Sequence, residues 1–424
     1  MIGYDTTVPQ MVQPLPPECT NNNVQQTTCC IVGGGPSGAV LALLLARQGI
    51  AVTLLEGQKD FDRDFRSDTI HPAIMEVMHD IGLAERLLEL RHTKMRYITF
   101  VTEAGPIQMS DFSHLKTRYP FITLIPQPRF LELLFDEAKR YPKFRLVMGG
   151  RVEQLIEEDG QIRGVRYRQD NDLHEVRATL TVGADGRFSK VRDLAGIKPV
   201  TLAPKMDVLW MRLPHGSNDP PADAAFLRVG KGKFAILFDR FEYWQVGYNI
   251  APGSFSELRA AGIENLRRLV AEAVPEFADR VHHLEDWKQL TLLSVAGSHV
   301  PTWHRPGLLL IGDAAHTMSP IGAVGINMAV QDAVVAANVL ADPLKTGHLR
   351  SADLATVQRK RQLLTRIVQK WQTTIQQRVI ADALDPDKPF KVPLVLRFLT
   401  STPILRTIPS RIVGFGLLRA RVKV

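Results

Sequence analysis

The stretch Thr28-Cys-Cys-Ile-Val-Gly33-Gly-Gly35-Pro-Ser-Gly38 constrains this chain more than any other. A short apolar run ends in three glycines. SGAVLALLLARQG follows with a helical pattern and glycine just past its end, and IAVTLLE returns to a strand. Gly33, Gly35 and Gly38 form G-x-G-x-x-G: one glycine for the tight turn, one for close approach to a pyrophosphate, one for helix–strand packing. Glu56 closes the second strand, where a carboxylate accepts hydrogen bonds from ribose hydroxyls. The unit predicts a Rossmann-like dinucleotide site. It does not choose between NAD and FAD, although a 2′-phosphate facing Glu56 would be repelled.

Two motifs far downstream sharpen that choice. GLLLIGDAAH, residues 307–316, ends a strand in a Gly-Asp turn. Asp313 there can hold the hydroxyls of a ribityl chain, a group NAD lacks. SPIGAVGINMAVQDA then opens a helix through Gly322, Gly325 and Asn327. Amides at such a helix start, aimed at a flavin N1–C2=O edge, stabilise the negative charge of reduced flavin. The third motif, VGADGRFSKVRDLAGI at residues 182–197, carries Asp185, Gly186 and Arg192. By itself it reads equally well as a plain turn.

Composition narrows the setting. Hydrophobic residues make up 45% and charged residues 23% of the 424, enough to bury a large core in two or three domains. Cys19, Cys29 and Cys30 lack metal-ligand spacing, and neighbours on a strand point to opposite faces. Neither a disulfide nor a metal site is expected. No apolar run reaches the roughly 20 residues of a membrane span. Residues 1–27, rich in Pro, Gln and Asn, read as a flexible leader without signal-peptide features, so a cytoplasmic protein is the default. The formal net charge is +8, and residues 388–424 hold eight Lys and Arg and no acid. That tail fits either packing on the body with cations in solvent or peripheral attachment to an anionic membrane. No basic and aromatic stripe marks a nucleic-acid binder.

Between the motifs, strand patterns recur, with a hairpin at Glu158-Asp159-Gly160. From about 200 to 300 the strands turn aromatic: DVLWMRLPH, AFLRVG, KFAILF and EYWQVGYNI. The substrate pocket is expected there, with Trp210, Arg212, Phe226, Phe238 and Trp244 as candidates. Trp244, Val246, Tyr248 and Ile250 share one face by alternation. Residues 354–380 read as a long helix with apolar positions Leu354, Val357, Leu364, Ile367, Trp371 and Ile375. That stripe serves packing or a dimer seam, which leaves monomer and homodimer open.

VGGGPSG, GADGRFSKVRDLAG and LLLIGDAAHTMSPIGAVGIN together resemble the GxGxxG, DG and GD motifs of the FAD-dependent aromatic hydroxylases, the single-component flavoprotein monooxygenases. The resemblance covers residues 27–345 in order and spacing. It implies an α/β fold: a glutathione-reductase-type FAD domain with an inserted β-sheet substrate domain and a helical C-terminal region. The FAD domain would comprise residues 28–105, 125–200 and 300–345, the substrate domain 106–124 and 201–299, and the C-terminal region 346–424. Gly33, Gly35, Gly38 and Glu56 would hold the ADP half, with Arg66 near the phosphates and Gln127 on the cofactor. Asp313, Gly325 and Asn327 would serve the ribityl and flavin end, and Asp185 both FAD and a passing nicotinamide. NAD(P)H would reduce FAD, and O₂ would form a C4a-hydroperoxide that hydroxylates a phenolic or quinone-precursor ring. His71 and His316, beside the flavin motifs, are candidate proton relays. Where relatives commonly carry paired glycines this chain has Gly322-Ala323, compatible with the turn if Ala323 keeps a negative φ. Two competing readings are a reductase, dehydrogenase or halogenase of the same fold, and a non-catalytic FAD- or lipid-binding protein on a membrane surface.

Overall fold

The computed structural model describes residues 24–61, 69–202, 206–230, 232–294, 297–377, 398, 402–416 and 418–423. Val24–Val32 is the central strand of an eight-stranded sheet. It pairs in parallel with Val52–Glu56 on one side and Asp172–Gly183 on the other. Phe144–Met148 and Leu308–Leu310 extend the parallel ladder at the two ends. Residues 24–27 therefore belong to the sheet, which shortens the expected leader: the register with Glu175 to Ala178 begins at Val24. Asp159 and Gly160, both with positive φ, turn the expected hairpin between Arg151–Glu158 and Gln161–Gln169.

A parallel sheet is covered on both faces, so its strands read as unbroken apolar runs. Cys29 and Cys30 fit this reading. Both are fully buried on the central strand, and burial pushes both thiol pKa values up, that of Cys30 to about 12. Neither will be alkylated in the native protein near neutral pH, and both will be once it is unfolded. Peptide mapping after labelling checks this directly.

The second sheet has seven strands, ordered Thr291–Ser294, Asp207–Leu213, Trp244–Ile250, Lys233–Asp239, Ala224–Gly230, Tyr97–Thr102 and Gly105–Asp111. Tyr97–Thr102, expected in the FAD domain, lies here instead. It forms a hairpin with Gly105–Asp111 and pairs in parallel with Ala224–Gly230, a contact that local pattern does not encode. The two faces differ. Leu209, Met211, Trp244, Val246 and Tyr248 pack under the helix Ile263–Ala273, whereas Val208, Trp210, Phe234 and Phe238 form a cluster that includes Ile321.

The core helix Gly325–Thr346 lies in the interior against the dinucleotide helix Pro36–Arg47. Residues 321–346 are long and apolar enough to cross a membrane, contrary to the sequence expectation, but 72% of their most apolar 18-residue stretch is buried inside the protein. The long helix runs Ser351–Ile375, and residues 378–380 of the expected span lie outside the described residues. Its buried face follows the expected stripe at Leu354 and Val357 and departs from it beyond them. Arg361, Thr365, Gln369 and Gln372 point inward while Ile367 is exposed.

Described parts of the basic tail pack on the body. Thr402 caps the helix Pro403–Phe415 through the Leu405 amide. Ser410 is fully buried and accepts from the Asp111 amide. Arg406 donates to Gln108, and Arg419 pairs with Glu76.

Candidate active site

The three motifs, separated by up to 280 residues in sequence, meet in van der Waals contact. Gly33 has φ +105°, and a Cβ there would collide with the Ala184 carbonyl and lie 2.7 Å from the Asp185 Cα. Gly312, φ +59°, sits against the first motif: a Cβ would fall 2.7 Å from the Ser37 hydroxyl. Arg192 joins the third motif to the second by donating to the Ala314 carbonyl at 3.4 Å. By contrast, a Cβ at Gly35 or Gly325 would meet nothing within 4 Å. Those two glycines open onto free space at the starts of the dinucleotide and core helices, where unpaired amides and the helix dipole favour an anion. The arrangement fits a diphosphate at one end and an electron-rich ring edge at the other.

Glu56 does something the sequence did not reveal. Its carboxylate accepts from the Gly34 amide at 2.8 Å and the Gln58 amide at 2.9 Å, pinning the glycine loop to the second strand. Two oxygens offer about four lone-pair sites, so ribose hydroxyls can still bind. Gln127 is buried at the first turn of the helix Gln127–Ala138. Asp185 accepts from the Ser189 hydroxyl and the Val191 amide, fixing the turn into the helix Lys190–Leu194, and burial holds its carboxyl above the usual range. Asp313 is partly exposed at the end of the Leu308–Leu310 strand. Asn327 is buried and accepts from the Gln331 side chain. Arg66 lies outside the described residues.

His316 is not placed as a relay to substrate. It is 1% exposed, and its Nε2 lies 2.6 Å from the Asp332 carboxylate, which also accepts from Arg361 at 2.7 Å and from the Gly312 amide at 3.1 Å. Burial opposes ionisation of Asp332, yet His316 and Arg361 hold its carboxyl below the usual value. The triad clamps the Gly-Asp turn to two helices. Gln372 serves the same segment from the long helix, donating to the Ser319 and Ile321 carbonyls, and Gln369 donates to Thr317. An irregular buried backbone needs such donors, which is why the inward face of that helix is polar. The only sequence signal was lone polar residues at helical spacing among apolar ones.

His71 is likewise withdrawn from solvent and substrate, with no exposed surface. Its Nδ1 is 2.8 Å from the Val413 carbonyl and its Nε2 is 2.9 Å from the Ala323 carbonyl. Burial pushes its pKa down to about 4, against the raising effect of those carbonyls. Ala323 also accepts from the Thr69 hydroxyl at 3.1 Å. The expected negative φ at Ala323 is corrected: it is +52°, a left-handed conformation enforced by the turn between Gly322 and Gly325.

The pocket candidates divide between the sheet faces. Trp210 and Phe238 stack at 6.1 Å on the face that meets Ile321, the residue before Gly322. A Cβ at Gly247 would lie 2.8 Å from the Trp210 ring, so glycine there makes room for the indole. Trp244 and Phe226 face the other way and are corrected. Trp244 packs on Phe277 and donates to Asp219 at 2.9 Å, and Phe226 belongs to the same cluster. Arg212 is exposed, stacked over the Tyr243 ring at 5.0 Å.

Comparison with known proteins agrees with this geometry. Residues 26–371 match the family model described as "FAD binding domain". The chain is 33% identical over 390 residues to the 6-methylpretetramide 4-monooxygenase of Streptomyces rimosus, covering 91% of this chain and 92% of the relative. It is 27% identical to the 3-demethoxyubiquinol 3-hydroxylase of Escherichia coli K12, covering 73% and 78% respectively. Among solved structures, P. aeruginosa PqsL in complex with 2-aminobenzoylacetate superposes with a TM-score of 0.74 at 20% identity, over 85% of this chain and 98% of that one. That last likeness speaks for the fold.

Proposed function

The chain belongs to the FAD-binding-domain family of aromatic monooxygenases, and from that premise we propose that its substrate is a phenolic aromatic of the kind named for its pretetramide relative. FAD is the cofactor, with NAD(P)H and O₂ as co-substrates. One observation carries the substrate reading: similarity to that relative runs through nearly the whole chain, substrate sheet included.

When bound, FAD supplies the activation of O₂ for transfer of one oxygen atom to the ring. This chain's residues do the rest. The helix-start amides of Ser37 and Gly38, beyond Gly35 and Pro36, would receive the pyrophosphate, Glu56 the ribose, and Asp313 the ribityl hydroxyls, with Arg66, Gln127 and Asp185 completing the cofactor's surround. The helix start at Gly325 would place positive dipole at the ring edge. Trp210, Phe238 and Ile321 would line an apolar wall that orients the substrate ring and excludes water. No buried acid or base is assigned to the reaction, since His71 and His316 are both tied to internal partners.

Product identification under ¹⁸O₂ tests the proposal, using FAD, NADH or NADPH, and a panel of phenols that includes pretetramide-type compounds. The expected product carries one labelled oxygen on a ring carbon. Oxidation of NAD(P)H with no labelled product across the panel would refute it.

A further inference from the structure

A buried histidine with both ring nitrogens on backbone carbonyls from elements 250 and 340 residues away is an unusual investment of position. One carbonyl belongs to Ala323, in the turn that precedes the helix start at Gly325; the other belongs to the C-terminal helix Pro403–Phe415. We propose that His71 is a positioning residue for the flavin, holding the left-handed turn at Ala323 through an Nε2–H bond that the C-terminal helix keeps dry. This rests on the placement of the flavin edge at Gly325 made above.

A non-glycine residue in the left-handed region is strained and persists only where its surroundings hold it. Ala323 is such a residue, and its carbonyl is the acceptor for both Thr69 and His71, so two side chains restrain one peptide group. A neutral imidazole has one N–H, and the tautomer follows from need. The C-terminal helix is held independently by Asp111 to Ser410, Arg406 to Gln108 and Arg419 to Glu76. Gln372 holds the turn upstream at Ser319 and Ile321, and the Ala323 carbonyl itself accepts from Thr69 and lies against His71. With one N–H the ring can donate to only one of the two carbonyls, and the proposal places that hydrogen on Nε2, toward Ala323, with the helix covering the ring.

Glutamine and asparagine separate the two ring nitrogens. The amide of Gln reaches the place of Nε2, and that of Asn the place of Nδ1. H71Q is expected to bind FAD within about twofold of the parent, whereas H71N and H71A bind it about tenfold more weakly, the worth of one well-placed hydrogen bond. The readouts are the FAD dissociation constant, from flavin fluorescence, and thermal unfolding of the apoprotein. Because H71A also removes buried packing, Thr69→Val provides an independent approach to the same carbonyl, with a loss of about threefold. Ala323→Gly removes the strain and should shrink the H71N effect on FAD at least severalfold. The proposal is overturned if H71Q and H71N weaken FAD binding equally, or if all variants lower apoprotein stability while FAD affinity stays unchanged. Failure of the parent protein to bind FAD at all would instead remove the flavin placement, and this proposal with it.

Discussion

Gly33→Ala is expected to abolish FAD retention and lower stability, while Gly35→Ala is expected to leave the fold intact and still lose the cofactor. The contrast follows from what each added methyl meets. At Gly33 it strikes the Ala184 carbonyl, and the φ of +105° is one that alanine rarely adopts. Overpacking and backbone strain together are worth on the order of 3–5 kcal/mol. Relief can come only by parting Val24–Val32 from Asp172–Gly183, which also moves the loop amides. At Gly35 the methyl enters open space in the protein itself. Only a ligand occupying that space would feel it, and displacing a pyrophosphate by even an ångström should weaken FAD binding by about a hundredfold, roughly 3 kcal/mol. Thermal unfolding of the apoproteins and FAD titration read the two effects separately. A Gly35→Ala protein that binds FAD like the parent would place the phosphate cradle elsewhere.

Asp332→Asn is expected to lower stability by about 3–5 kcal/mol, because it leaves the Arg361 guanidinium buried without its counter-charge. Arg361 is 2% exposed and Asp332 is fully buried, so water cannot take over. The effect depends on pH in a definite direction. The folded carboxyl titrates below the unfolded value of 3.8. Its contribution is therefore present in full above that value and is lost as pH falls through the folded pKa. The difference between parent and Asp332→Asn in denaturant melts should be large near neutrality and shrink in strong acid. A difference that grew on acidification would contradict an ionised Asp332. Loss of FAD should accompany loss of stability, since the same carboxylate holds the Gly312 amide beside Asp313.

The strand–turn–helix frames of the cofactor motifs were legible because their requirements are local. Glycine spacing, a carboxylate at a strand end and Gly-Asp after an apolar strand each state a backbone need that only a few residues meet. The hairpin at Asp159-Gly160 was legible for the same reason. What stayed hidden was everything that depends on which surface meets which. Alternation grouped Trp244 with Val246 and Tyr248 correctly, but could not say that this face turns to Ile263–Ala273 and the Trp210 face to Ile321. The long helix misled beyond Val357 for a related reason. A hydrophobic stripe marks the buried face only where the neighbour is apolar, and here the neighbour is the irregular backbone from Thr317 to Ile321, which needs donors. Ala323 could not be assigned its φ without knowing that Thr69 and His71 converge on its carbonyl.

The strand order has a consequence for how the molecule comes into being. Asp172–Gly183 takes its place between Val24–Val32 and Leu308–Leu310, so the sheet cannot be completed until the chain has grown past residue 310. At ~5–20 residues per second on the ribosome, Asp172–Gly183 waits roughly 6–25 s for Leu308–Leu310, its last parallel partner. During that interval a nascent chain with an apolar, unpaired strand edge at Asp172–Gly183 stands open to other chains. Slower aggregation at lower temperature, or a chaperone that occupies that edge, should therefore raise the yield of folded protein more than any change to the mature surface.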